Sequence, residues 1–185
     1  MIEDLYLETE EKMEKTIEAT KSALDRIRTG KASPNILDSV RVNYYGSTVP
    51  LNQVANISVP EIRLIVIQPW EKKLVTEIEK AILKADLGLN PVNDGTIIRI
   101  PIPPLSEERR KELARLASKI AEEKKVAIRN IRRDANEILK KAEKDHTISQ
   151  DDMHRGQENI QKLTDDYTKM VDDLLEKKEK EIMEI

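Results

Sequence analysis

Arg129, Arg132 and Arg133 fall within five residues of one another in the segment Val126-Ala-Ile-Arg-Asn-Ile-Arg-Arg-Asp-Ala-Asn136. A guanidinium is a planar fork that donates two parallel hydrogen bonds, a geometry that suits phosphate and carboxylate oxygens. At about 100° per residue, Lys125, Arg129, Arg132, Arg133 and Asn136 gather on one side of a helix. Ala127, Ile131, Ala135 and Ile138 gather roughly opposite. The blander reading of such a face is a solvated surface that keeps the chain soluble. The sharper one is a local anion contact. The chain is acidic overall, with a formal net charge of −3. Any affinity for nucleic acid must therefore come from a patch and not from the field of the whole molecule.

Other residues that suggest chemistry fail on spacing. Gly30-Lys31 resembles the end of a phosphate-binding loop, but Asp25 stands where the first glycine belongs and Ala32 follows the lysine. The segment also follows a helical pattern instead of a strand, and Gly30 reads better as a helix C-cap. His146 and His154 have no third ligand at metal spacing and read as surface residues. Asp94-Gly95 is a turn without the oxygen-rich spacing of a calcium loop. Asp151-Asp152 and Asp165-Asp166 read as helix-start and surface charges, with no pocket to pair them for acid–base work. Trp70 could stack on a base, but at the start of an amphipathic segment it reads as core. The sequence contains no cysteine, so no disulfide or thiolate chemistry is available. No catalytic constellation, metal site or cofactor is expected.

The elements that position the arginines follow from the apolar pattern. Charged residues make up 36% of the chain and aromatics 3%, so the core must rest on Leu, Ile, Val, Ala and Met. Helical seams are expected from about Glu3 to Thr29, from Ser106 to about Asp145, and from Ser149 to near the end. The first seam is Tyr6, Met13, Ile17, Thr20, Leu24 and Ile27. The second is Leu113, Ala117, Ile120, Ala127, Ile131, Ala135, Ile138 and Ala142. The third is Met153, Ile160, Leu163, Tyr167, Met170 and Leu174. Ser106, behind Pro103-Pro104, and Ser149 are expected N-caps. At 1.5 Å per residue the second and third helices extend about 60 and 50 Å, and none of the three can bury its seam alone. An elongated antiparallel three-helix bundle satisfies all of them; a zippered pair of chains satisfies them too.

Between the first two seams the pattern changes. Val40, Val42 and Tyr44 alternate with polar residues before a turn at Tyr45-Gly46-Ser47. Ile57 and Val59 lead to a buried run, Leu64–Ile67. Trp70–Ala85 reads as a short helix, and Asn93-Asp94-Gly95 turns into Thr96–Ile100. The fold class expected is α+β: bundle residues 1–30 and 105–185 with a small β/α/β domain, 31–104, inserted between them. The two connections, Gly30, Lys31, Ala32, Ser33 and Pro34 on one side and Pro101, Ile102, Pro103 and Pro104 on the other, read as a two-strand hinge. The start, Met-Ile-Glu-Asp-Leu-Tyr, lacks the pattern of a signal peptide, and no apolar run approaches the roughly 20 residues that span a bilayer.

These residues also carry a resemblance. Arg28-Thr-Gly-Lys-Ala-Ser-Pro34, Tyr44-Tyr-Gly46, Asp86-Leu-Gly-Leu-Asn-Pro91, Pro101-Ile-Pro-Pro-Leu105, Glu108-Arg-Arg-Lys111, the arginine segment and Gln161-Lys-Leu-Thr-Asp165 stand in one order. Together they make the chain resemble the bacterial ribosome recycling factors over essentially its whole length. Lys31 departs from the arginine the family often has there; it keeps the charge and loses the fork. The resemblance implies a two-domain, L-shaped molecule, roughly of transfer-RNA outline, that acts as a cytoplasmic monomer without cofactor or membrane. It implies binding to the post-termination ribosome, on large-subunit rRNA, and splitting of the subunits with elongation factor G and GTP. The residues expected to contact rRNA are Arg28, Lys31, Arg110, Lys125, Arg129, Arg132 and Arg133. The reading from another class is a non-enzymatic helical-bundle interaction or chaperone-like protein whose arginines meet an acidic protein partner.

Overall fold

The computed structural model describes residues 1–184. The chain separates into two compact units, residues 1–29 with 106–185 and residues 30–105. The first is built from α1 (Ile2–Asp25), α3 (Glu107–Lys144) and α4 (Gln150–Met183). The second holds β1 (Arg41–Tyr44), β2 (Ser47–Pro50), β3 (Ala55–Glu61), β4 (Leu64–Pro69), α2 (Leu74–Lys84), β5 (Val92–Asn93) and β6 (Ile98–Pro101).

The helix starts follow from local chemistry. Ser106 accepts from the Arg109 N–H at 3.1 Å. Ser149 accepts from the Asp152 N–H at 3.1 Å and donates its hydroxyl to Asp152 Oδ2 at 2.7 Å, so two side chains close the first turn of α4. The stop of α3 is a Schellman turn. The His146 N–H bonds the Glu143 carbonyl at 2.9 Å and the Thr147 N–H bonds that of Ala142 at 2.8 Å. His146 supplies the left-handed residue, with φ +56°. The resulting connection is short, and α3 and α4 run antiparallel.

The bundle core is Met13, Ile17, Ala121, Ile128, Leu163 and Val171, continued by Ala135, Leu139 and Ile160. Ala117, Ala121, Ala135 and Ala142 on α3 are all buried; small residues there allow α1 and α4 to approach closely. Gly156 does the same on α4, where an added Cβ would lie 3.0 and 3.1 Å from both methyls of Leu139. Three buried threonines satisfy their hydroxyls on the carbonyl four residues back: Thr9 on Leu5, Thr20 on Thr16 and Thr164 on Ile160.

Three expectations change here. The first helix ends at Asp25, capped by Arg26 in the right-handed region, and Gly30 is not its C-cap. Ile27, the last seam residue, is buried from the turn itself, and beyond it no apolar side chain holds another helical turn. Ile138 of the second seam and Met170 of the third are 47% and 44% exposed, while their neighbours Leu139 and Val171 are fully buried. Trp70 is 68% exposed. The chain leaves β4 at Pro69, ties the Trp70 N–H to the Val54 carbonyl, and begins α2 only at Leu74, so the indole never joins the apolar face of that helix.

In the second unit β1 and β2 form a hairpin whose central residues, Tyr45 and Gly46, both have positive φ, 47° and 83°. That is the backbone of a twist-matched two-residue turn. The larger sheet is antiparallel in the order β3-β4-β6-β5. Ile65 pairs with Ile100 and Ile67 with Ile98, and all four side chains are fully buried. They join Leu74, Val75, Ile78 and Ile82 of α2 and Val42 of β1 in one core.

Candidate nucleic-acid interface

The angular positions on α3 explain how the arginines are held. Taken at about 100° per residue, the buried residues Leu113, Ala117, Ala121, Ile128, Ala135, Leu139 and Ala142 fill one stripe about 80° wide. Its centre lies about 40° from the centre of the seam expected from the sequence, rotated toward the cationic side. The cations are therefore not all opposite the core. Lys125, Arg132 and Asn136 stand on the shoulder of the stripe and are half-buried, whereas Arg129 and Arg133 face solvent.

Each of these side chains has a different electrostatic setting. Lys125 forms an ion pair with Asp172 of α4. Arg129 Nη2 bonds Glu122 Oε1, two turns upstream, at 2.7 Å. That hydrogen bond, with the guanidinium charge behind it, holds the Glu122 carboxyl below its ordinary range. Arg132 Nη1 donates to Gln161 Oε1 of α4 at 3.1 Å, and Gln161 Nε2 donates onward to Asp165 Oδ1 at 2.8 Å. A neutral amide thus fixes the Arg132 guanidinium without cancelling its charge. Arg133, one residue on, is exposed. The cationic potential of the stripe concentrates at Arg132 and Arg133, on a rigid helix, with the other two cations partly neutralised by carboxylates.

The remaining expected contacts lie elsewhere. Arg28 is exposed in the segment after α1 and borders a groove of about 490 Å³ with Arg26, Arg109 and Leu116. Arg110 is half-buried and is not among the residues of that groove. Arg26 and Arg109 of that groove were not among the expected contacts; Arg109 lies in the quoted Glu108–Lys111 motif and is paired with Glu112 at 2.8 Å. Sequence reasoning missed Gln161 and Asp165 as positioning residues, for which their place in a quoted motif was the available signal. Lys31 belongs to the second unit and is half-buried.

The linker residues are placed as follows. Ala32 donates its N–H to the Ile62 carbonyl and Ile102 to that of Arg63, both at 2.7 Å. Ser33 N-caps the 3-10 turn Pro34–Leu37, and Pro101 closes β6. Gly30 has φ +77°, and a Cβ there would meet Leu105 Cγ at 3.2 Å. Pro103 and Pro104 are exposed and outside any element.

The model of the ribosome recycling factor family matches residues 20–183. The chain belongs to the ribosome recycling factor family. It is 55% identical over 184 residues to the ribosome-recycling factor of Desulfatibacillum aliphaticivorans, covering all of both chains. It is 55% identical over 185 residues to that of Syntrophomonas wolfei subsp. wolfei, again covering both completely. Among solved structures it is similar to a solution structure of the ribosome recycling factor, with TM-score 0.72 and 46% identity over 100% of this chain and 98% of the other. It is also similar to a chain among models for the T. thermophilus ribosome recycling factor and the E. coli elongation factor G bound to the E. coli post-termination complex. That likeness has TM-score 0.62 and 47% identity, covering both chains fully. In this chain the arginine stripe sits on α3, and the second unit is inserted between α1 and α3. Among the described residues no group of three or more His, Cys, Asp or Glu could hold a metal ion, and no helix is long and apolar enough to cross a membrane.

Proposed function

We propose that this chain binds the post-termination ribosome through large-subunit rRNA and, with elongation factor G and GTP, promotes splitting into subunits for a new round of translation. It acts in the cytoplasm as a monomer, without a cofactor, and breaks no covalent bond itself; nucleotide hydrolysis belongs to the elongation factor. The observation that carries the reading is the Arg132 fork, held by Gln161 at 3.1 Å on a 38-residue helix with no carboxylate of the described residues paired directly to it, beside exposed Arg133. A guanidinium ordered in advance meets a phosphate with less entropy to lose than a free one. Full-length identity of 55% to ribosome-recycling factors supports it from a separate direction. Arg28, Lys31, Arg110, Lys125, Arg129 and Arg133 complete the proposed contact set.

The hinge belongs to the same proposal. Its nine residues are Gly30, Lys31, Ala32, Ser33, Pro34, Pro101, Ile102, Pro103 and Pro104. The hydrogen bonds of Ala32 and Ile102 to neighbouring carbonyls favour a pivot nearest the crossings at 29–30 and 105–106, with the remaining linker residues moving as part of the second unit. Co-sedimentation with post-termination ribosomes tests the binding. The protein is expected in the ribosomal pellet at low salt and released as salt rises. Absence from the pellet at every salt concentration, with the protein folded by circular dichroism, would contradict it.

A further inference from the structure

Below Arg132 the shoulder of α3 continues into an open groove against α4, about 580 Å³ in volume, lined by Asn136, Lys140, His154, Gln157, Glu158 and Gln161. Asn136 Oδ1 is closed to solvent and has no hydrogen-bond partner. An acceptor taken from water without a hydrogen bond in return destabilises the fold. A leucine of similar size there would remove that cost. Asn136 lies one turn from Arg132, four residues along the same face, so the two side chains are neighbours. A turn about the soft terminal torsion of its carboxamide would bring Oδ1 to the groove that the residue lines.

The charges of the groove say what it takes. The lining carries one lysine, Lys140, and one glutamate, Glu158, beside His154, and Glu158 repels a phosphate. Asn136 Oδ1 and the Gln157 amide oxygen accept hydrogen bonds, which a phosphate cannot donate; the Gln161 oxygen is already taken by Arg132. What fits is a neutral donor attached to a strand whose phosphates lie on Arg132 and Arg133 immediately above. We propose that this groove binds the donor groups of an RNA strand, ribose 2′-hydroxyls or base amines, with Asn136 Oδ1 as the acceptor, so that the face extends past the arginines. This deepens the ribosome-binding reading and rests on it. A peptide could also donate N–H groups, but continuity with the Arg132 guanidinium, which no carboxylate of the described residues pairs directly, favours RNA.

The test compares wild type, Asn136→Leu and Arg132→Ala on purified large ribosomal subunits across a salt series. Asn136→Leu should fold with an equal or higher melting temperature. It should weaken binding about fivefold, as for one neutral hydrogen bond, with the salt slope unchanged because no counterion release is lost. Arg132→Ala should flatten the slope. Should Asn136→Leu fail to fold, Asn136→Ala, which cannot overpack the site, carries the same expectation for binding and slope. Chemical footprinting separates the donors. Acylation of 2′-hydroxyls and dimethyl sulfate attack on bases report which of the two protections of the wild type disappears in the variant. Wild-type affinity in a folded variant would overturn the proposal. So would weakened binding with an unchanged rRNA footprint, which would move the contact to a ribosomal protein. Failure of the wild type to bind would instead overturn the ribosome-binding reading itself.

Discussion

Arg129 and Arg132 are the same residue type three positions apart, yet they are prepared for different work. Arg132 is fixed by a neutral amide that leaves its charge available, while Arg129 must give up Glu122 before it can hold a phosphate. Replacing Arg132 with alanine exposes only an already exposed Gln161, so stability should change by no more than about 0.5 kcal/mol. Ribosome affinity should fall, and the slope of log affinity against log salt should flatten by roughly 0.7–0.9. An unchanged slope would make the guanidinium structural. Glu122→Gln should do the reverse, strengthening ribosome binding by about threefold and steepening its salt dependence, because Arg129 is released. Equal binding by this variant would show that Arg129 stays out of the interface. Folding lowers the Glu122 pKa from its ordinary 4.5. The pair therefore contributes fully above that value and is lost as pH falls through the lower folded one, so it persists at neutral pH. The arginines themselves were legible in the sequence from residue type and spacing. The partner of Arg132 was not, because Gln161 lies on another helix and meets α3 only after packing, as does Asp172 with Lys125; Glu122 is on α3 itself, seven residues before Arg129.

At the scale of elements, caps were legible and rotation was not. Ser106 and Ser149 announce helix starts by chemistry confined to one turn, so no tertiary information is needed. The choice between Ile138 and Leu139 as the core residue depends on how α3 lies between α1 and α4. A strict heptad pattern drifts by about 20° per repeat on a straight helix, enough over a helix of 38 residues to exchange one neighbour for the next. Trp70 was misplaced for a related reason: its composition suited the apolar face of α2, but the helix begins four residues later. The turn between α3 and α4 carries a prediction of its own. His146 occupies the left-handed position of the Schellman turn, where a side chain is strained and glycine is not. His146→Gly should stabilise the chain by about 1 kcal/mol, read as a higher urea midpoint with unchanged m-value. A lower midpoint would mean that the imidazole makes a contact worth more than the strain.

For the molecule as a whole, the inserted unit was visible as a change of period from helical to alternating, with prolines and glycines at its edges. The hairpin partner β2 and the two-residue β5 were not visible, since short edge strands have little periodicity to read. A cross-link between Ala32 and Ile102 would not restrain the proposed pivot, because both residues are hydrogen-bonded within the second unit. Loosening is the cleaner experiment. A Gly-Ser pair inserted after Thr29 and another after Leu105 should leave ribosome binding intact and slow subunit splitting, because a push on one unit would be absorbed by the crossings. Splitting at the wild-type rate would show that mechanical coupling between the units is dispensable.

The most direct measurement follows light scattering from post-termination ribosomes mixed with this protein, elongation factor G and GTP. Scattering should fall as subunits separate, at a rate that saturates with protein concentration, and should hold steady when protein, factor or GTP is left out. Ribosomes that stay intact at saturating, folded protein would contradict the assignment of this chain to ribosome recycling.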